Sequence, residues 1–178
     1  MKKLIIVILS LLILVVPFTS CGLINQESLW EQQWIYVGYT NSDEIYNSAL
    51  NSAVGGLPIY KFDTASELER FKTDFEDDFS FDPPYMEEGS FGKTVEGIDE
   101  NFFDQYRMYI VYVPSSSGSY RYFIDNVDMD GDDFCIYVKK AETLEENVTA
   151  DMAGWFVLFN QPKSEVKDYT TYDARISN

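Results

Sequence analysis

The sequence predicts an α+β fold, with an antiparallel sheet of about five to seven strands and one main helix packed on a face. Two short runs, Met108–Val113 and Trp155–Phe159, are apolar at every position, which is typical of central strands buried on both sides. Short segments rich in Gly, Ser and Asp separate the predicted strands. One segment, beginning at Thr64, carries apolar residues at helical spacing.

The first two strands are predicted at Trp34–Tyr39 and Leu57–Phe62. Pro58 favours a strand start or an edge strand in the second of them, because proline cannot donate to a ladder. Residues 41–56 are ambiguous. Ile45, Ala49 and Ala53 recur at helical spacing, but Asn and Ser residues interrupt the pattern.

The main helix is predicted to follow Thr64. Thr64 and Glu67 match a capping box, in which each side chain satisfies a free backbone N–H at the start of a helix. Leu68, Phe71, Phe75 and Phe79 then fall on one stripe. We therefore expect these side chains to pack on the sheet.

The second half of the chain is predicted to contain most of the strands. A short helical turn at Asp99–Tyr106 precedes the first central strand. Phe134, Ile136 and Val138 alternate with more polar residues, so they are expected on one buried face. The predicted strands here are Met108–Val113, Tyr120–Val127, Phe134–Val138, Trp155–Phe159 and Tyr169–Ile176.

The N-terminus has the order of a secretory signal. Lys2 and Lys3 precede the apolar run Leu4–Phe18, and the small residues Thr19 and Ser20 lead to Cys21. A cysteine at this point resembles the lipobox of bacterial lipoproteins, although Phe18 replaces the usual Leu. The resemblance implies that Cys21 becomes the mature N-terminus, carries a diacylglycerol, and anchors the protein on the extracytoplasmic face of the cell membrane.

Two alternatives stay open for this segment: a secretory signal with an incidental cysteine, and an uncleaved membrane anchor. The apolar run is shorter than the roughly 20 residues that span a bilayer. The expected organisation is a signal peptide at 1–20, a tether at 21–33 and one globular domain at 34–178.

Composition excludes several classes of function. Loss of Lys2 and Lys3 would take the formal net charge from −17 to −19, and an acidic surface disfavours nucleic acid.

The absence of histidine rules out His-dependent nucleophilic sites and His zinc ligands. No cofactor is predicted. Cys135 lies in an apolar run and is expected to be a buried, unreactive thiol. The strong negative charge can serve solubility alone; the functional alternatives are a basic protein partner, divalent cations or a cationic cell-wall component.

The segment from Asp74 to Glu88 carries seven acids and no base, interleaved with aromatic residues. It can be read as a solvated loop or as an exposed arm that docks on a partner, since loops often carry binding groups. The second hypothesis assigns partner binding to Phe81, Tyr85 and Phe91.

The sequence Asn126, Asp128, Asp130, Gly131 matches the start of a calcium loop. The match ends there, because Tyr137 stands where an EF-hand requires a bidentate Glu. We expect a hairpin turn at Asp130–Gly131, with a weak calcium site between Asp128 and Asp133 as the alternative. Ser115–Ser119 is expected to be a flexible hairpin loop rather than a phosphate cradle.

Four short pieces of the second half resemble small bacterial lipoproteins related to the protease-complex subunit family (PrcB-like). They are Asp99–Phe103, Gly118–Ser119, Asp130–Gly131 and Asp151–Trp155, within residues 99–177. The resemblance implies a non-catalytic domain that binds and stabilises a surface protease or a similar partner. A carboxylate-dependent cell-wall hydrolase and a calcium-responsive surface protein are the alternatives.

Overall fold

A computed structural model describes residues 32–37, 45, 56–83, 89–141 and 152–177. The strands in these ranges are β1 (Gln32–Tyr36), β2 (Ile59–Phe62), β3 (Tyr106–Ser115), β4 (Tyr122–Asp130), β5 (Asp133–Lys140), β6 (Ala153–Pro162) and β7 (Thr171–Ile176). The helices are α1 (Ala65–Asp74), α2 (Phe91–Val95) and α3 (Glu100–Gln105), with a 3-10 turn at Lys163–Glu165. The α+β class is confirmed.

The strands form two sheets, so the prediction of one sheet is wrong. The first sheet has the order β1-β6-β3-β2 and is antiparallel throughout. The second has the order β4-β5-β7, and β7 runs parallel to β5. The pairing of β5 with a strand more than thirty residues later is not visible in local sequence patterns, because it depends on a long connection.

The first sheet is the middle layer of the fold. One face of this sheet packs on the second sheet. Tyr109 and Val157 of the first sheet and Phe134 and Ile136 of the second belong to the shared core. Three rings stack across this interface, with Tyr109 4.8 Å from Phe134 and 4.7 Å from Phe159 between ring centroids. The prediction that β3 and β6 are buried on both faces is confirmed, and so is the inward row of Phe134, Ile136 and Val138.

The opposite face of the middle sheet is covered by the helices and by the segment before α2. Phe71 of α1 lies at the centre of this second core, with ring centroids 6.0 Å from Phe156 and 5.8 Å from Phe81. Leu68 and Phe79 belong to the same cluster. The predicted helix and its stripe are confirmed, although α1 ends at Asp74 and Phe79 lies in the turn beyond it.

The start of α1 is capped as the sequence predicts. The Thr64 hydroxyl accepts from the Glu67 backbone N–H at 3.2 Å. The Glu67 carboxylate accepts from the N–H of Asp63, one residue before the cap, at 2.7 Å. Both bonds satisfy donors that the helix itself leaves free.

Residues 1–31 lie outside the described ranges, and so do 38–44 and 46–55, which include the end of the predicted first strand and most of the ambiguous segment 41–56. The predicted tether is too long at its C-terminal end, because Gln32 and Gln33 already pair with β6. In the part of the chain that the structure describes, no helix is long and apolar enough to cross a membrane.

Candidate functional site

Two of the three predicted partner-binding residues lie in the protein core. Phe81 is 9% exposed and Phe91 is fully buried, and their ring centroids are 5.1 Å apart. Tyr85 lies outside the described residues. The expectation that Phe81 and Phe91 are exposed anchors is therefore wrong.

The physical reason is that the polar and apolar side chains of this segment point in opposite directions. Asp82 is exposed between buried Phe81 and buried Pro83. Its carboxylate accepts a hydrogen bond of 2.7 Å from the Ser90 hydroxyl, and Ser90 in turn caps α2 by accepting from the Lys93 N–H. The acids face solvent while the rings complete the core on the helical side of the middle sheet.

The outer face of the second sheet carries a depression lined by acidic side chains. Strand register places Asp128 beside Cys135 and Cys135 beside Asp173 in one row. Neighbouring rows place Asp130 beside Asp133, and Tyr137 beside Arg175. We call this the acidic sheet face: Asp128, Asp130, Asp133, Cys135, Tyr137, Thr171, Asp173 and Arg175.

The acidic sheet face forms a shallow depression of about 510 Å³. Four Asp side chains line it against one Arg. Arg175 pairs with Asp173, with Nη2 2.6 Å from Oδ2, so the cation is already neutralised. Asp128 and Asp130 are exposed and make no side-chain hydrogen bond or ion pair within the described ranges. The depression is therefore net negative and open to a cationic group.

Cys135 lies at the centre of this face and is half-buried rather than buried. Burial raises the pKa of its thiol above the ordinary value, and the charge of Asp173 acts in the same direction. A raised pKa lowers the thiolate fraction, and the thiolate is the nucleophilic form.

The Asp-rich segment at the end of β4 is a two-residue hairpin. Asp130 pairs with Asp133, and the turn residues are Gly131 and Asp132. Gly131 has a φ of 57°, whereas no described residue other than glycine has a positive φ. This pattern fits the hairpin type with glycine at its first central position. The predicted hairpin is confirmed, but its central residues are Gly131 and Asp132 rather than the expected Asp130 and Gly131. Among the described residues no group of His, Cys, Asp and Glu could hold a metal ion.

A buried arginine was not predicted from the sequence. Arg107, at the start of β3, is 5% exposed and its Nε lies 2.6 Å from Asp63 Oδ1. Lys163 approaches the same oxygen at 3.2 Å. Burial alone would raise the pKa of Asp63, but hydrogen bonds and charge from Arg107 and Lys163 outweigh it, so the pKa lies below its ordinary value. This network joins the end of β2 to the turn after β6, which is a structural role.

The hydrolase alternative requires paired acids with displaced pKa values in a cleft. Among the described carboxyl groups, those of Asp63 and Asp99 have displaced pKa values, and both pKa values lie below the ordinary one. Asp63 belongs to the arginine network, and Asp99 caps α3 by accepting from the N–H groups of Asn101 and Phe102. Neither arrangement provides the protonated acid that glycoside hydrolysis needs.

The serine loop between β3 and β4 differs from the expected flexible hairpin. Its two flanking strands belong to different sheets, so it crosses between layers. Ser115 and Ser117 are buried, and the Ser115 hydroxyl donates to the Ser117 carbonyl at 2.7 Å. The Tyr122 hydroxyl donates to Ser115 Oγ at 3.2 Å, which ties the loop to the second sheet.

Comparison with known proteins gives no match: no family model, no curated protein and no solved structure resembles the chain significantly.

Proposed function

We propose that this chain is a lipid-anchored, extracytoplasmic accessory domain that acts by protein–protein contact, and that the acidic sheet face binds a basic region of its partner. The observation that carries the proposal is the open depression of about 510 Å³ with four Asp side chains and one already paired Arg. Complementary charge of this kind directs association and sets specificity.

The remainder of the fold supports this choice of surface. The middle sheet is covered on both faces. The aromatic side chains on its helical side pack in the core, so they do not form an exposed binding surface there. The outer face of the second sheet has no described element packed on it and keeps a polar, half-buried centre of Cys135 and Tyr137. A face of this composition has the polar rim of a transient interface rather than the apolar surface of an obligate one.

The anchor is proposed from the N-terminal sequence alone, with Cys21 as the lipidated residue. The intact mass of the membrane-extracted protein tests it, because loss of residues 1–20 and addition of acyl chains change the mass in a defined way. A Cys21→Ala chain that is processed and retained in the membrane exactly as the wild type is would reject the anchor.

The binding surface is tested by crosslinking and pull-down from living cells. The pair Asp128→Asn and Asp130→Asn removes two exposed charges without touching the buried contacts. Recovery of the partner is expected to fall about fivefold, since each exposed ion pair contributes up to about 1 kcal/mol. The resemblance of residues 99–177 to the protease-complex subunit family makes a surface protease the first partner to look for.

The matched control is the pair Asp74→Asn and Glu76→Gln, which changes the charge equally at the end of α1, in the opposite layer. This control is expected to leave recovery unchanged. Equal recovery with the Asp128 and Asp130 variant would remove the acidic sheet face from the proposal.

A further inference from the structure

The two ends of the β-layers differ in what they carry. Gln32, where the chain enters β1, lies opposite Phe159, and Phe159 lies opposite Tyr109 near the start of β3. Tyr109 stacks on Phe134, which follows the Asp130–Asp133 hairpin. Gln32, the first described residue, therefore lies toward the hairpin end. β3 continues from Tyr109 to Ser115, so the other end lies roughly 20 Å from the level of Gln32.

Three exposed cations gather at that far end. Arg121 precedes β4, while Lys139 and Lys140 end β5. The Tyr122–Ser115 hydrogen bond and the backbone bond from Ala141 N to the Arg121 carbonyl bring the three residues to the same end of the two sheets. We call Arg121, Lys139 and Lys140 the cationic end.

These cations are unusual within so acidic a chain. Six of the eleven Lys and Arg residues in the described ranges form ion pairs with Asp or Glu. Of the five that form none there, three are those of the cationic end. In a protein with 30 acids and 13 bases, three cations at one end of the sheets that form no ion pair within the described ranges are a local concentration of positive charge.

Two of the three are held in place by neighbouring rings. The Arg121 guanidinium lies 4.2 Å from the Trp155 ring centroid, and its Nη1 donates to the carbonyl oxygens of Gly118 and Tyr120. The Lys140 ammonium lies 4.1 Å from the Tyr120 ring centroid. These cation–π contacts and hydrogen bonds to carbonyls already restrict the two side chains in the free protein. Less rotamer freedom is therefore lost when a ligand binds.

The spacing of the charges indicates the form of the ligand. Lys139 and Lys140 are consecutive in a strand, so they point to opposite faces of the sheet. The charges therefore spread around the end of the sheet instead of converging on one point, as a single phosphate would require. Several separate carboxylates on one flexible chain match this arrangement better.

We infer that the cationic end is a second interaction surface, and that it binds an extended acidic peptide segment of another protein. It is distinct from the acidic sheet face and binds ligands of the opposite charge. This inference is argued from the charge pattern and does not rest on the proposed function.

The test uses the purified full chain in a neutral detergent and a fluorescein-labelled oligoglutamate, followed by fluorescence anisotropy at about 50 mM salt. The wild-type chain is expected to bind, and the pair Lys139→Gln and Lys140→Gln is expected to weaken binding about tenfold, as loss of two exposed ion pairs allows. Arg121→Lys keeps the charge but loses the planar group, so a smaller loss is expected.

The control pair Arg70→Gln and Lys93→Gln removes two exposed charges from the helical layer and is expected to bind as the wild type does. The inference is overturned if the wild-type chain does not bind, if the Lys139 and Lys140 variant binds equally well, or if inorganic polyphosphate binds as tightly as oligoglutamate. The Asp128 and Asp130 variant separates the two surfaces, because it is expected to retain oligoglutamate binding.

Discussion

Replacing Asp63 with Asn is expected to destabilise the fold by about 2 kcal/mol at neutral pH. Loss of one partner from a fully buried ion pair typically costs about 3–5 kcal/mol, because the other charge is left unpaired. The Asp63 side chain is 24% exposed, which weakens its field, and Asp168 remains 3.6 Å from Arg107 Nη2. The substitution also leaves Arg107, Lys163 and Lys61 close together without the carboxylate they share.

Urea unfolding at pH 7 measures this loss. With a slope of about 2 kcal/mol per molar urea, the midpoint is expected to fall by about 1 M. The matched control is Asp168→Asn, which removes a carboxylate that is 96% exposed from the same arginine. Its effect is expected to stay below about 0.5 kcal/mol.

The pH dependence of the stability difference between wild type and Asp63→Asn is a second, independent test. Because the pKa of Asp63 is lowered in the folded state, its stabilising contribution is present above its ordinary pKa of about 4 and is lost as the pH falls through the folded-state value. The difference between wild type and Asp63→Asn is therefore expected to shrink below about pH 4. A gap that stays constant down to pH 3, or an Asp63 variant no less stable than the Asp168 variant, would refute the ion-pair argument.

Three further perturbations have defined outcomes. Phe71→Ala removes the ring at the centre of the helical-side core and is expected to cost about 3–4 kcal/mol in urea unfolding, whereas Met152→Ala, at a half-exposed side chain, is expected to cost little. Gly131→Ala is expected to cost about 1 kcal/mol, because the turn needs a positive φ; an unchanged midpoint would contradict the assigned turn. Cys135 is expected to react with a disulfide reagent more slowly than a free thiol at pH 8, since its pKa is raised; a Cys135→Ser chain gives the background rate.

The strands were predicted well where burial leaves a mark on composition. β3 and β6 are buried on both sides because one layer packs on each of their faces, and this burial shows in the sequence as the uninterrupted apolar runs Met108–Val113 and Trp155–Phe159. The capped helix was also visible, because Thr64 and Glu67 satisfy local donors. Both signals depend on residues that are neighbours in sequence.

The division into two sheets and the position of the aromatic segment were not predictable in the same way. Strand partners are chosen by long-range packing, and nothing local distinguishes a partner of β3 from a partner of β5. Phe81 was misjudged because the acids around it dominate the composition, although only the rings determine which side faces the core. The available sequence signal was that Phe79 and Phe81 lie two positions apart and Asp82 follows Phe81, a pattern that places the rings on one side and the carboxylate on the other.

The parallel pairing of β7 with β5 joins distant parts of the chain and so bears on when the second sheet can form. Leu57, two residues before β2, donates its backbone N–H to the carbonyl of Ala174 in β7, so residues more than one hundred positions apart in the sequence are bonded directly. The second layer cannot finish assembling until β7 has been synthesised. If the chain is secreted as we propose, the second sheet can be completed only after residues 171–176 have crossed the membrane.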